Sequence, residues 1–162
     1  MTAPTLDFEK ALWKIGFTKV CGIDEVGRGS FAGPVVVGAV IFKDSKIPEG
    51  INDSKLLKPL IREKLSEEIK KISFWAISEI SVRFINKLGI AKATQMAFRK
   101  AVKKLSPDFV LIDAFYIKHM NRKKQKAVKD GDTICASISA ASIIAKVYRD
   151  KLMKNLLYFM NK

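Results

Sequence analysis

Apolar residues recur along this chain in two rhythms. Unbroken runs from Lys19 to Glu25 and from Gly33 to Phe42 read as buried strands. The second run (GPVVVGAVIF) is apolar on both faces and belongs at the centre of a sheet. Phe74 to Val82 alternates as a strand does, with Phe74, Ala76 and Ser78 set against Trp75 and Ile77. Phe109 to Asp113 is a short buried strand that finishes on an acid. Elsewhere the spacing is helical. Leu57, Ile61, Leu65 and Ile69 predict a helix to about Lys71, capped by Asp53 or Ser54. Ile90, Ala93, Ala97 and Ala101 predict one basic helix over Ile85–Leu105, ended by Pro107. Ser137 onwards predicts a last helix. Lys43–Asn52 reads as loop, and Lys118–Asp132 as a polar, basic stretch with one short strand near Ala127. This order, without repeats or a linker, predicts one mixed α/β domain over residues 1–162.

The polar residues that interrupt this pattern carry the chemistry. The first strand closes on Asp24-Glu25, and Gly27-Arg28-Gly29 follows at once. Acids at the end of a buried strand are costly unless a metal or a cation compensates them. Glycines around an arginine suit backbone that must come close to a large anionic partner. Asp113 ends a second apolar strand, and strand ends are where an α/β sheet opens to solvent. Each acid taken singly also fits a turn or a helix cap. Neighbouring strand residues face opposite ways, so Asp24 and Glu25 can serve one site only where the strand ends or bulges. Ser142, Lys146 and Asp150 share one helix face beside Ser139 and Arg149, while Ile138, Ala141, Ile144, Ala145, Tyr148 and Leu152 form the opposite, apolar stripe. That polar face reads equally as a solvated surface with a Lys146–Asp150 pair.

Charge narrows the choice of partner. The chain carries 30 Lys and Arg against 16 Asp and Glu, a net charge of +14. Such an excess favours a polyanion, nucleic acid first, although a lysine-rich surface can also serve solubility alone. Carboxylates gathered in so basic a protein suit hard divalent ions, Mg²⁺ or Mn²⁺, and two such ions can drive phosphodiester hydrolysis. The lone histidine, His119, argues against a histidine-rich zinc centre. Cys21 and Cys135 are far apart and read as buried thiols. The N-terminus lacks a signal-peptide pattern, and no apolar run approaches the ~20 residues needed to cross a bilayer. The expectation is a cytoplasmic monomer without a membrane role.

The motifs, taken together, resemble a known family. GIDEVGRGSFAGPVVVGAVIF is similar to the opening of type 2 ribonucleases H (ribonuclease HII), and Asn52-Asp53-Ser54-Lys55 to the family's NDSK segment. Leu111-Ile112-Asp113-Ala114 resembles the strand of its third acid, and Gly131-Asp132 with SISAASIIAKVYRD its last motif. The first motif of type HIII enzymes lacks the arginine that stands here as Arg28. The resemblance implies a ribonuclease H-like fold, a mixed five-stranded sheet flanked by helices. It implies Asp24, Glu25, Asp113 and Asp150 as catalytic ligands of two Mg²⁺ or Mn²⁺ ions. It implies cleavage 5′ of a ribonucleotide in an RNA–DNA hybrid or embedded in duplex DNA. Gly27, Arg28 and Gly29 would contact the 2′-hydroxyl, with Lys55, Ser142 and Lys146 as phosphate-side or supporting residues. Two departures stand out: Asp130 replaces a common lysine, and the chain ends at Lys162, before the helical segment that carries the family's substrate-sensing tyrosine. Tyr148 and Tyr158 do not fit that tyrosine's place. A shortened member is implied, either active or reduced to binding hybrid or duplex without turnover.

Overall fold

The computed structural model describes residues 3–30 and 32–160, apart from the side chains of 159 and 160. Its five strands are β1 (Val20–Val26), β2 (Val35–Phe42), β3 (Ser73–Ile80), β4 (Phe109–Asp113) and β5 (Gln125–Val128). They form the mixed five-stranded sheet that was expected, in the order β3-β2-β1-β4-β5. β1 pairs antiparallel with β2 and parallel with β4, and β4 is parallel to β5. Every residue of β2 is buried, which accounts for its apolar character on both faces. The helices are α1 (Asp7–Lys14), α2 (Pro59–Ile72), α3 (Val82–Leu88), α4 (Ile90–Leu105), α5 (Gly131–Ile134) and α6 (Ala136–Met160). Ala93, Ala97, Phe98 and Ala101 of α4 pack on Cys21, Ile23, Val37 and Ile112 on one face of the sheet. α6 and α2 cover the other face over Val40 and Phe42.

Four elements depart from the sequence reading, the short α5 among them, which starts within the stretch read as loop. The helix expected from Asp53 begins only at Pro59, with Lys58 extended before it (φ −61°, ψ 145°). Proline at the first helical position fixes that start and restricts the residue ahead of it. Asp53 instead accepts the Lys55 N–H at 2.9 Å and shapes a turn. The expected Ile85–Leu105 helix is two, broken at Gly89, whose φ of 79° no helix accommodates. α1 is additional. It is anchored by buried Glu9, which accepts the Ser137 N–H at 2.9 Å and so caps the start of α6 from outside.

α6 lies unusually close to the sheet. A Cβ at Gly22 would fall 2.1 Å from the Ser137 carbonyl carbon, and one at Gly38 would fall 2.1 Å from the Ala141 oxygen. Consequently much of the polar side of α6 is covered: Ser137, Ser139, Ser142 and Arg149 are buried, while Lys146 and Asp150 stay partly exposed. Among the described residues no helix is long and apolar enough to cross a membrane.

Candidate active site

Parallel pairing of β1 with β4 sets the site. Ile23 stands opposite Ile112, so one step further along the register Asp24 lies beside Asp113, the last residue of β4, on the same face. β1 runs on regularly to Val26 against Val36, with no bulge at the acids. Glu25 therefore leaves the opposite face, yet β1 has outrun β4 by then and both acids line one cleft. The sequence reading required β1 to end or bulge at the acids; it does neither, staying paired with β2 to Val26. The end of its pairing with β4 is what opens one cleft to both side chains. Gly27, Arg28 and Gly29 form one wall of this cleft, and Ser54 and Lys55 another. Ser142 and Lys146 of α6 also line it, as does Asp132.

The acids are electrostatically strained against one another. Burial pushes the Asp24 carboxyl well above the ordinary range, and the charges of Glu25 and Asp113 push the same way. A hydrogen bond with the Ser142 hydroxyl and one from the Glu25 N–H (2.8 Å) act against that rise. Burial raises Glu25 from 4.5 to about 7, although Arg28 beside it at 3.7 Å pulls it down. Asp113 is raised too, chiefly by burial, while the Gly131 N–H donates to it at 2.8 Å. Burial alone would lower the Lys55 ammonium, but Asp132 and then Asp53 outweigh it and hold it above its usual value. Lys55 Nζ lies 3.4 Å from Asp132 Oδ2.

Asp150 stands apart from this group. It is absent from the lining of the acid cleft and borders a separate concavity between α2 and α6. Its carboxylate is held by Lys146 Nζ at 2.6 Å and by Arg62 Nη2 at 3.1 Å. The α6 spacing does place Ser142, Lys146 and Asp150 on one side, but that side meets α2 beyond Lys146. Asp150 does not line the cleft, whereas Asp132, just ahead of α6, does. Its signal was the Gly131-Asp132 pair directly ahead of the last helix.

Two further residues have roles that the sequence reading did not assign: Arg149, which it placed only on the polar face of the last helix, and Arg62. Arg149, buried, donates from Nε to the Pro34 carbonyl at 3.0 Å and from Nη2 to that of Ala32 at 2.7 Å. It also lies under Gly27 (φ 103°), where a Cβ would meet Arg149 Nε at 2.5 Å. Arg149 thus holds the Gly-Arg-Gly loop from beneath. Arg62 does the same for the opposite wall, donating to the carbonyls of Ser54 at 2.6 Å and Leu57 at 3.1 Å. Ser54 in turn meets Ser142, with hydroxyl oxygens 3.0 Å apart.

The donor set is carboxylate oxygen throughout, the chemistry preferred by hard divalent ions. Mutual repulsion of buried carboxylates is what such a cation relieves. Among the described residues, however, no three His, Cys, Asp or Glu side chains are grouped closely enough as they stand to hold one ion. Arg28 and Lys55 lie instead against Glu25 and Asp132.

Comparison with known proteins agrees with these motifs. The family model "Ribonuclease HII" matches residues 21–161. A ribonuclease HII from Cereibacter sphaeroides is 44% identical over 158 residues, covering 96% of this chain and 74% of that protein. The structure of the PCNA:RNase HII complex from Archaeoglobus fulgidus superposes with a TM-score of 0.75 at 27% identity, over 88% of this chain and 77% of that one. Bst-RNase HIII, solved in complex with Mn²⁺, shares the fold with a TM-score of 0.73 at 22% identity, over 90% of this chain and 56% of that one. With a family model spanning nearly its whole length and relatives this similar, the chain belongs to the ribonuclease HII family of nucleases.

Proposed function

We propose that this protein is an endoribonuclease that hydrolyses the phosphodiester 5′ of a ribonucleotide, in an RNA–DNA hybrid or within duplex DNA, and leaves a 3′-hydroxyl. The observation that carries this reading is the cleft itself, where Asp24, Glu25, Asp113 and Asp132 sit between the Gly27-Arg28-Gly29 and Ser54-Lys55 walls. Asp24, Glu25, Asp113 and Asp132 would hold Mg²⁺ or Mn²⁺; Asp150, bound to Arg62 and Lys146, would not. Held by these four carboxylates, a pair of such ions would supply an activated water and stabilisation of the leaving oxygen. The protein's own groups do the rest. Main chain at Gly27 and Gly29 comes close to the sugar and reads the 2′-hydroxyl, the group that distinguishes RNA from DNA. Lys55, exposed at the cleft mouth, meets a phosphate. Ser142 steadies Asp24 rather than touching substrate, and Lys146 braces Asp150. The protein acts as a cytoplasmic monomer in this reading.

The test is cleavage of an RNA–DNA hybrid in Mg²⁺ or Mn²⁺ by the wild type, Asp113→Asn, Asp132→Asn and Asp150→Asn. Loss of at least about 100-fold for the first two variants and under about 10-fold for the third supports this ligand set. Equal losses at Asp132 and Asp150 contradict it. Binding of hybrid without cleavage by the wild type favours a duplex-binding role instead.

A further inference from the structure

A second groove opens beside the acid cleft, and its lining has the opposite character. It encloses about 600 Å³ between the first half of α4 and residues 115–119, just past the end of β4. Leu88 and Met96 contribute apolar surface, while Lys92, Arg99 and Lys118 supply charge. Among the described residues that line it there is no Asp or Glu. Arg28 lines both this groove and the acid cleft, so the two adjoin at that side chain.

Two neighbouring aromatic rings are left exposed here, Phe115 at 47% and Tyr116 at 38%. Each is stacked by a cation: Arg28 lies 4.5 Å from the Phe115 ring centre and Arg122 lies 3.2 Å from that of Tyr116. The segment that carries them is fixed in place. Gln95 of α4 donates to the Tyr116 carbonyl at 3.0 Å and accepts the Lys118 N–H at 2.8 Å. Gln125 accepts the Ile117 N–H at 2.8 Å and donates to the carbonyls of Ile117 and Met120. The rings are therefore held at the surface by their own backbone, not stranded there by a loose loop. Preformed aromatic faces within a cationic groove match the sugar–phosphate and ring surfaces of a nucleic-acid strand.

We infer that this groove seats nucleotides flanking the cleavage position, with sugar or base faces on Phe115 and Tyr116 and phosphates on Lys92, Arg99 and Lys118. The inference rests on the nuclease reading for the direction of the strand, which passes from the acid cleft over Arg28. It adds a binding surface that acts on substrate length rather than on the reaction.

Fluorescence anisotropy in EDTA tests it without cleavage. Two duplexes are used, each with one ribonucleotide, one just long enough to fill the acid cleft and one extended on both sides. Phe115→Ala is expected to weaken the long duplex about 10-fold and the short one less than about 2-fold. The Lys92→Ala/Arg99→Ala double variant should lower the salt slope on the long duplex by nearly 2, one counterion per lost contact, without changing the melting temperature. Unchanged affinity of both variants for the long duplex overturns the inference and leaves the groove to a partner other than nucleic acid. Equal losses on both duplexes overturn it as well, because the groove is then not a separate subsite. Failure of the nuclease reading appears elsewhere, as absence of ribonucleotide-dependent cleavage by the wild type in Mg²⁺ or Mn²⁺.

Discussion

Arg62 of α2 and Asp150 of α6, separated by 88 residues in sequence, are joined by a hydrogen-bonded ion pair of 3.1 Å. Arg62 is buried, and its other nitrogen holds the loop that presents Ser54 and Lys55 to the cleft. In the proposed ligand set Asp150 acts on the site through Arg62 and not as a metal ligand. Arg149, its neighbour in sequence, holds the opposite wall through Pro34 and Ala32. Two consecutive residues of one helix therefore support the segments on either side of the cleft, Asp150 by way of Arg62 and Arg149 behind Gly27.

Replacing Asp150 by Asn leaves Arg62 buried with a weaker partner. The expected cost is about 2 kcal/mol of stability, with KM raised more than kcat is lowered. Calorimetric titration with Mn²⁺ separates this from a ligand role: affinity stays near wild type in Asp150→Asn and falls at least about 10-fold in Asp132→Asn.

The floor of the Gly-Arg-Gly loop gives a second prediction. Arg149→Lys keeps the charge but cannot reach two carbonyls with a fixed fork, so the loop loosens. Discrimination between a ribonucleotide and a deoxyribonucleotide substrate should fall while Mn²⁺ affinity is retained. Gly27→Ala should do the same more severely, because a Cβ at φ 103° is strained and meets Arg149 Nε. Paired kcat/KM measurements on the two substrates check both.

Without metal, the acids make stability depend on pH in a defined direction. Glu25 and Asp24 have raised values in the folded protein, so folding favours their protonated forms. Their contribution is complete below the ordinary carboxylate range and is lost as pH rises through about 7 for Glu25. A rise from 4.5 to about 7 corresponds to on the order of 3 kcal/mol. The melting temperature of the metal-free protein should therefore fall between about pH 5 and pH 8. Asp24→Asn should flatten that fall and raise stability at the upper end, while adding Mg²⁺ or Mn²⁺ should rescue the wild type and not the variant. Thermal scans in EDTA and in excess metal at each pH check this.

The strands and the cluster at the end of β1 were legible because their signals are local: apolar runs closing on Asp24 and Asp113, then glycines. What was not legible depends on distant partners or on single backbone positions. Pro59 and Gly89 decide where α2 and α4 begin, overriding an apolar periodicity that ran on through both. α1 is short and hides its anchor in a charged residue, Glu9. Helical spacing alone could align Asp150 with Ser142 and Lys146, but it could not supply Arg62 from another helix. Nor could it show that the turn into α6 brings Asp132 beside Lys55.

The most direct test of the account uses a 5′-labelled DNA duplex with one ribonucleotide, incubated with the protein in Mg²⁺ or Mn²⁺ and resolved at single-nucleotide length. The account predicts one product, ending in a 3′-hydroxyl immediately 5′ of the ribonucleotide, formed by the wild type and absent with Asp24→Asn. An intact strand, cleavage at another position, or equal cleavage by Asp24→Asn would contradict it.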